Sequence, residues 1–254
     1  MMLQIFSREY FVALASSAVA GVILVASPRL RPGNWTTWLA RALAVLLVVN
    51  QIAYYVAVRG SLTISGSLPL GLCEAATFVS AAALWWRVAL LIELTYFWGV
   101  GGSIQALLTP MVSAKFPSFY IIQYYIDHSG IVIAALLLVV GLKELPRVGA
   151  ARRTIAITAA YAAVVFGIDK LTGGDYLYLM SRPSTFSLLS LMGPWPWYVL
   201  GVFVVGIIII VVLDQPLRLA RSRASIQPAS VAAATPAGNS FLHPTWARWP
   251  RWPR

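Results

Sequence analysis

The chain has 254 residues, 59% of them from the AVILMFWYC set and only 11% charged, where soluble domains carry about 25% charge. That balance excludes an ordinary soluble enzyme, a nucleic-acid-binding domain built on a basic face, and a disordered scaffold. The net charge of +11 (19 Lys+Arg against 8 Asp+Glu) fits the basic cytoplasmic loops of a membrane protein, and one cysteine and two histidines argue against disulfide frameworks and metal centres.

Windows of about 20 apolar residues predict an all-α, polytopic membrane helix bundle with about seven transmembrane helices. The spans are 10–27, 36–58, 70–86, 88–109, 119–141, 154–171 and 197–213. The first has the basic start and the small-residue stretch Ala18-Val19-Ala20-Gly21 of a signal peptide. Its apolar run continues through Val25 to Arg29 and Arg31, a stop-transfer pattern that predicts a retained helix. In the fourth span, Glu93 lies six residues from Arg87 and is expected to pair with Arg87 or Arg41. Gly99, Gly101, Gly102 and Ser103 have no strand before them and no Lys-Ser/Thr after them, so they read as close helix packing and not as a phosphate loop. No cofactor is expected.

The sixth span is the weakest, interrupted by Tyr161, Asp169 and Lys170. Residues 173–192 are too polar to span and too apolar for a free loop, which suits a re-entrant or interfacial lid. After Leu213 the composition turns to Arg, Ser, Ala and Pro. Residues 1–213 thus read as a transmembrane domain and 214–254 as a disordered basic tail. The Trp and Arg residues ending the tail suit anionic inner-leaflet lipid.

Seven spans put the termini on opposite sides. Five basic residues (Arg8, Arg59, Lys115, Lys170, Arg182) then fall on the N-terminal side, against eight on the other side plus six in the tail. The N-terminus is expected outside and the C-terminus in the cytoplasm.

Ionisable groups inside a membrane usually face a bundle interior or a cavity. Counting outward from the basic residue or acid that ends each span, at about 1.5 Å per residue, puts Tyr54 about 20 Å up, Cys73 about 21 Å and His128 about 22 Å. Asp169 and Tyr198 come out about 24 Å up, in the same outer layer. An imidazole with an ordinary pKa of about 6.5 can take and return a proton. Asp127 projects about 100° away from its neighbour and is a poor orienter, whereas Tyr124 shares a face with His128. Cys73 is either a small buried hydrophobe or, beside a base, a nucleophile. From spacing alone, His128 reads as a structural hydrogen-bond partner.

A series of motifs follows in fixed order: Leu68-Pro69-Leu70-Gly71-Leu72-Cys73, Glu93-Leu94-Thr95-Tyr96-Phe97-Trp98-Gly99, Gln105-Ala106-Leu107-Leu108-Thr109-Pro110, Phe116-Pro117-Ser118-Phe119 and His128-Ser129-Gly130. Tyr176-Leu177-Tyr178-Leu179 and Gly193-Pro194-Trp195-Pro196-Trp197-Tyr198 complete it. Over roughly residues 10–213 the chain resembles the YwaF-like bacterial integral membrane proteins. These are distantly similar to eukaryotic multi-pass proteins regarded as phospholipid acyltransferases that use a Cys and a His. The resemblance carries that His onto His128. The eukaryotic Asn-Pro-Cys-His motif, laid on Pro69, meets Leu70 and Gly71 instead, with Cys73 one helical turn further on.

The resemblance implies a lipid-modifying enzyme acting on phospholipid or other fatty acyl esters. His128 is then the general base, Cys73 the nucleophile, and Gln105 or a tyrosine hydroxyl the donor to the oxyanion. Tyr54, Glu74, Thr77, Tyr124, Asp169 and Tyr198 are the candidate cavity residues. With Thr77 as nucleophile the reaction becomes hydrolysis. The competing reading is a non-enzymatic protein that binds or transports a small solute, with Asp169, His128 and Glu74 as proton-relay groups. Membrane lipid is the expected partner in both, and nucleic acid in neither.

Overall fold

The computed structural model describes residues 7–58, 62–65, 67–110, 116–182 and 192–233, with side chains through Ser222. Arg59 and Lys115 of the charge count, much of the 173–192 segment and the Trp/Arg end of the tail lie outside the described residues. Among those described there is no strand. The helical rods are α1 (Arg8–Leu30), α2 (Trp35–Ala57), α3 (Leu72–Trp86), α4 (89–108), α5 (Phe119–Gly141), α6 (Ala150–Thr172) and α7 (Trp197–Ala233).

Local chemistry sets their ends. Ser7 caps α1, its hydroxyl accepting from the Tyr10 N–H at 3.1 Å. At the start of α3 the Glu74 carboxylate reaches back to the Gly71 N–H at 3.0 Å, which satisfies a free donor and places an acid at the positive end of the helix. Arg87, in the left-handed region at φ 55°, turns the chain sharply from α3 into α4, and Gly149 and Gly173, with φ 78° and 72°, bound α6.

Five rods (α1, α2, α5, α6 and the Trp197–Ser222 part of α7) are long and apolar enough to cross a membrane. The other two differ from the expected regular spans. The 15 residues of α3 extend about 22 Å, short of a hydrocarbon layer about 30 Å thick. In α4 the glycine run forms a π-helical turn, Gly99–Ser103, between two α-helical pieces. Gly99 there lies against α5 so closely that a Cβ would come 3.1 Å from the Ile131 carbonyl oxygen. α6 starts four residues before the expected 154, and α7 does not stop at 213. Asp214 and Leu217 are both buried, and the first compact unit ends only at Leu217. The second unit, residues 218–254, continues as helix to Ala233.

The core lies among α2, α3, α4 and α5, where Leu47, Leu84, Phe97, Ile131 and Leu137 are fully buried. α1 rests on α5, and α6 on α4. α7 approaches α4 through a hydrogen bond from the Tyr96 hydroxyl to the Leu213 carbonyl at 3.2 Å. Exposed apolar side chains, such as Val22 and Ile23 on α1 and Leu200, Val204 and Ile208 on α7, are the surface such a bundle offers to lipid.

One end of the bundle gathers basic groups. Glu93, wholly buried, accepts from Arg147 Nε at 2.8 Å and from both Arg153 Nη2 and Nε, at 2.8 and 2.9 Å. The forked contact from Arg153 is the strong form of this pair, and it ties the start of α4 to the start of α6. The partners are therefore Arg147 and Arg153 rather than Arg87 or Arg41. Arg41 lies instead over the Trp38 and Trp85 rings, at 5.7 and 5.2 Å, and Arg87 Nε donates to the Leu84 carbonyl at 3.2 Å. Both arginines thus find local partners at the ends of α2 and α3, while Glu93 looks across to α6.

Candidate functional site

At the opposite end, α2, α3, α5, α6 and α7 line a partly open cavity of about 710 Å³. Its polar wall carries Tyr54 and Gln51 from α2, Cys73 and Glu74 from α3, and Tyr124, Asp127 and His128 from α5. Cys73 sits in the first turn of α3, immediately before Glu74.

His128 is fixed on two sides. Its Nδ1 lies 2.9 Å from the Tyr124 carbonyl oxygen. A carbonyl only accepts, so Nδ1 carries the hydrogen, and in the neutral ring Nε2 keeps the lone pair. The Tyr124 ring stacks on the imidazole with centroids 4.1 Å apart, and its hydroxyl donates to the Ala106 carbonyl at 2.7 Å. The nearest Asp127 oxygen is 3.9 Å from Nδ1, beyond hydrogen-bond reach.

Asp127 faces α3 instead. The Thr77 hydroxyl lies 2.8 Å from Asp127 Oδ1 and 3.0 Å from the Cys73 carbonyl oxygen. Its single hydrogen serves one of them at a time. Because Thr77 is one turn beyond Cys73 and Asp127 precedes His128, this bond pins the turn bearing the thiol against the turn bearing the imidazole. Thr77 itself is fully buried, does not line the cavity, and so sets the register of the two helices.

Asp169 and Tyr198 also stand behind the wall. Asp169 accepts from the Tyr176 N–H at 3.2 Å, and the Tyr198 hydroxyl donates to the Tyr178 carbonyl at 2.8 Å. Between them they hold the stretch 175–179, which covers the cavity. Tyr176 fastens its other side, its hydroxyl donating to the Ile64 carbonyl and accepting from the Leu68 N–H. Gly174 lets the strap pass, since a Cβ there would be 2.8 Å from the Ser65 carbonyl oxygen. The 183–191 part of the expected lid is outside the described residues.

Gln105 does not belong to this site. It is exposed, outside the cavity, and its amide donates to the Gly101 carbonyl at 3.3 Å. The preceding π turn changes the hydrogen-bond register and rotates every later side chain of α4 away from where a regular helix would aim it. Gln51, Gln123, Thr158 and Tyr161 line the cavity without having been singled out. Tyr161 donates to the Leu70 carbonyl at 2.8 Å, fastening the segment before α3. Only the interruption of an apolar span by Tyr161 could have marked any of them.

Lipid-facing apolar rods around a buried, ionisable cavity define an integral, multi-pass membrane protein of helical type. Within that class the chain belongs to the TMEM164 family, whose model matches residues 5–214. No match was found among curated proteins or among solved structures.

Proposed function

We propose that this protein is a membrane acyltransferase acting on phospholipid or related fatty acyl esters through Cys73 and His128. The finer resemblance to the YwaF-like proteins, and through them to Cys- and His-dependent phospholipid acyltransferases, points the same way. In this reading the chain crosses the bilayer at all seven rods, the non-helical residues before α3 making up for that helix's short length, with the N-terminus outside, the C-terminus cytoplasmic, and the tail resting on anionic inner-leaflet lipid. The observation that carries the reading is the Thr77–Asp127 bond, which holds the Cys73 and His128 turns together on one cavity wall.

The chemistry divides into two balanced transfers. In the first, His128 Nε2 takes the thiol proton as Cys73 Sγ bonds to the ester carbonyl carbon. The ester C–O bond then breaks, and the departing alkoxide takes the proton from His128. An acyl thioester remains on Cys73 and a lysolipid leaves. In the second, an acceptor lysolipid hydroxyl gives its proton to His128 and attacks the thioester, and the Cys73 thiolate leaves and recovers that proton. With Gln105 outside the cavity, the Tyr54 hydroxyl is the donor to the oxyanion. In this reading Thr77, buried and bonded to Asp127, sets the helix register, and the reaction is transfer through Cys73 in place of the Thr77-dependent hydrolysis.

The test is an acyl-ester activity probe on the full chain in lipid nanodiscs. Wild type acquires an acyl label on Cys73, Cys73→Ser loses it, and His128→Ala slows it by on the order of a hundredfold. Labelling that is the same in all three refutes the reading, and a protein that only binds a solute gives no label at all.

A further inference from the structure

The same cavity has a second, apolar part. Below the polar wall it runs between α6 and α7, lined by Ile155 and Ala162 on one side and Phe203, Gly206, Ile207 and Ile210 on the other. Ile155 to Ala162 and Phe203 to Ile210 are each seven residue steps apart, so the arm extends about 10 Å along both helices. At its far end Ile210 is buried, 9% exposed. Its flank is open: Val202 and Ile207 line the cavity and are each 40% exposed on a helix whose outer face is apolar.

Gly206 is the position where the arm has room. Phe203, Gly206 and Ile210 recur at helical spacing along one stripe of α7. Large side chains occupy the other two places, while a Cβ built on Gly206 meets no atom within 4 Å. Gly206 itself is half-buried, so this space belongs to the wall of the arm beside its open flank, where apolar surface is best covered by another apolar group. Nothing polar is needed of the occupant beyond the upper cavity. The two polar side chains of this stretch of α6 are already engaged, the Thr158 hydroxyl accepting from Trp98 Nε1 at 2.9 Å and the Tyr161 hydroxyl donating to the Leu70 carbonyl at 2.8 Å.

Resting on the acyl-transfer reading, we infer that the arm between α6 and α7 holds the hydrocarbon chain of the acyl ester, entering sideways from the bilayer. Gly206 sets how long a chain can be accommodated while its carbonyl lies at the Cys73–His128 wall. Enclosing a hydrocarbon chain in an apolar arm keeps it as free of water as the bilayer does, so entry carries little desolvation cost. The fit of carbonyl and chain together then decides which ester is held in place to react.

Two measurements on the full chain in nanodiscs separate this from the reading it rests on. The first compares Cys73 labelling by butyryl and palmitoyl probes in wild type, Gly206→Ala and Gly206→Phe. Gly206→Phe should keep butyryl labelling and lose palmitoyl labelling by tenfold or more, with Gly206→Ala between it and wild type. Equal loss of both, or of neither, overturns the assignment of the arm. The second uses the Cys73→Ser chain and a phosphatidylcholine with a diazirine at the end of one acyl chain. Crosslinks should fall around Ile155, Ile207 and Ile210 and disappear in Gly206→Phe. Such crosslinks without any Cys73 labelling would refute acyl transfer and leave the arm standing as a lipid-chain site. Labelling with crosslinks spread over the outer faces of the helices would do the reverse.

Discussion

His128 draws its orientation from its own helix: the Tyr124 carbonyl one turn back holds Nδ1, and the Tyr124 ring lies against the imidazole. These two supports can be separated by mutation. Tyr124→Phe keeps the ring and the carbonyl and removes only the hydroxyl contact to Ala106, so it should cost about 1 kcal/mol of stability and leave Cys73 labelling intact. Tyr124→Ala removes the stacked ring. Labelling should then fall on the order of tenfold, equivalent to about 1.4 kcal/mol in the barrier. Labelling rates beside thermal unfolding in detergent distinguish the two effects, and equal rates in both variants would show that the ring does not position the base. Helical rise is constant, so depth can be counted along a span, and Tyr54, Cys73 and His128, counted to one layer, all line the cavity. Azimuth cannot be counted in this way. Asp169 and Tyr198 count to the same layer but stand behind the lining, bonded to the strap, and Thr77 stands behind it too, bonded to Asp127.

At the scale of the helix, apolar runs marked where the seven rods lie, and five of those rods are long and apolar enough to cross a membrane. The break inside α4 left a weaker mark. Gly99, Gly101 and Gly102 spell close packing, but nothing in their spacing distinguishes a straight helix from a π turn, and the displacement of Gln105 follows from that turn. The glycines are also not equivalent. A Cβ on Gly99 would meet the Ile131 carbonyl oxygen at 3.1 Å and the Ala135 side chain at 3.3 Å, whereas one on Gly102 would meet nothing within 4 Å. Backbone cannot swing aside as a side-chain tip can. Gly99→Ala should therefore destabilise by about 1–3 kcal/mol, and Gly102→Ala should stay within about 0.5 kcal/mol of wild type. Thermal unfolding of the two variants in one detergent checks this, and equal melting temperatures would deny that Gly99 sets the α4–α5 approach.

For the molecule in its membrane, the two ends of the first compact unit differ in charge and in chemistry. Arg29, Arg41, Arg87, Arg147 and Arg153 meet at one end, where Arg29 Nε donates to the Val140 carbonyl at 2.7 Å and Glu93 binds its two arginines. The cavity and its strap occupy the other end. In the proposed orientation, with the basic loops retained in the cytoplasm, the cavity lies in the outer leaflet and the esters it would take are those of that leaflet. Cys73 is the sole cysteine, which makes the orientation measurable on a Cys73→Ser background. Thr63, exposed beside the strap, and Val148, exposed beside Arg147, report opposite sides. In intact cells a membrane-impermeant maleimide should label Thr63→Cys and leave Val148→Cys unlabelled until the membrane is opened. The reverse pattern would turn the bundle over, move the cavity to the inner leaflet, and put fourteen of the nineteen basic residues on the wrong side of the charge rule.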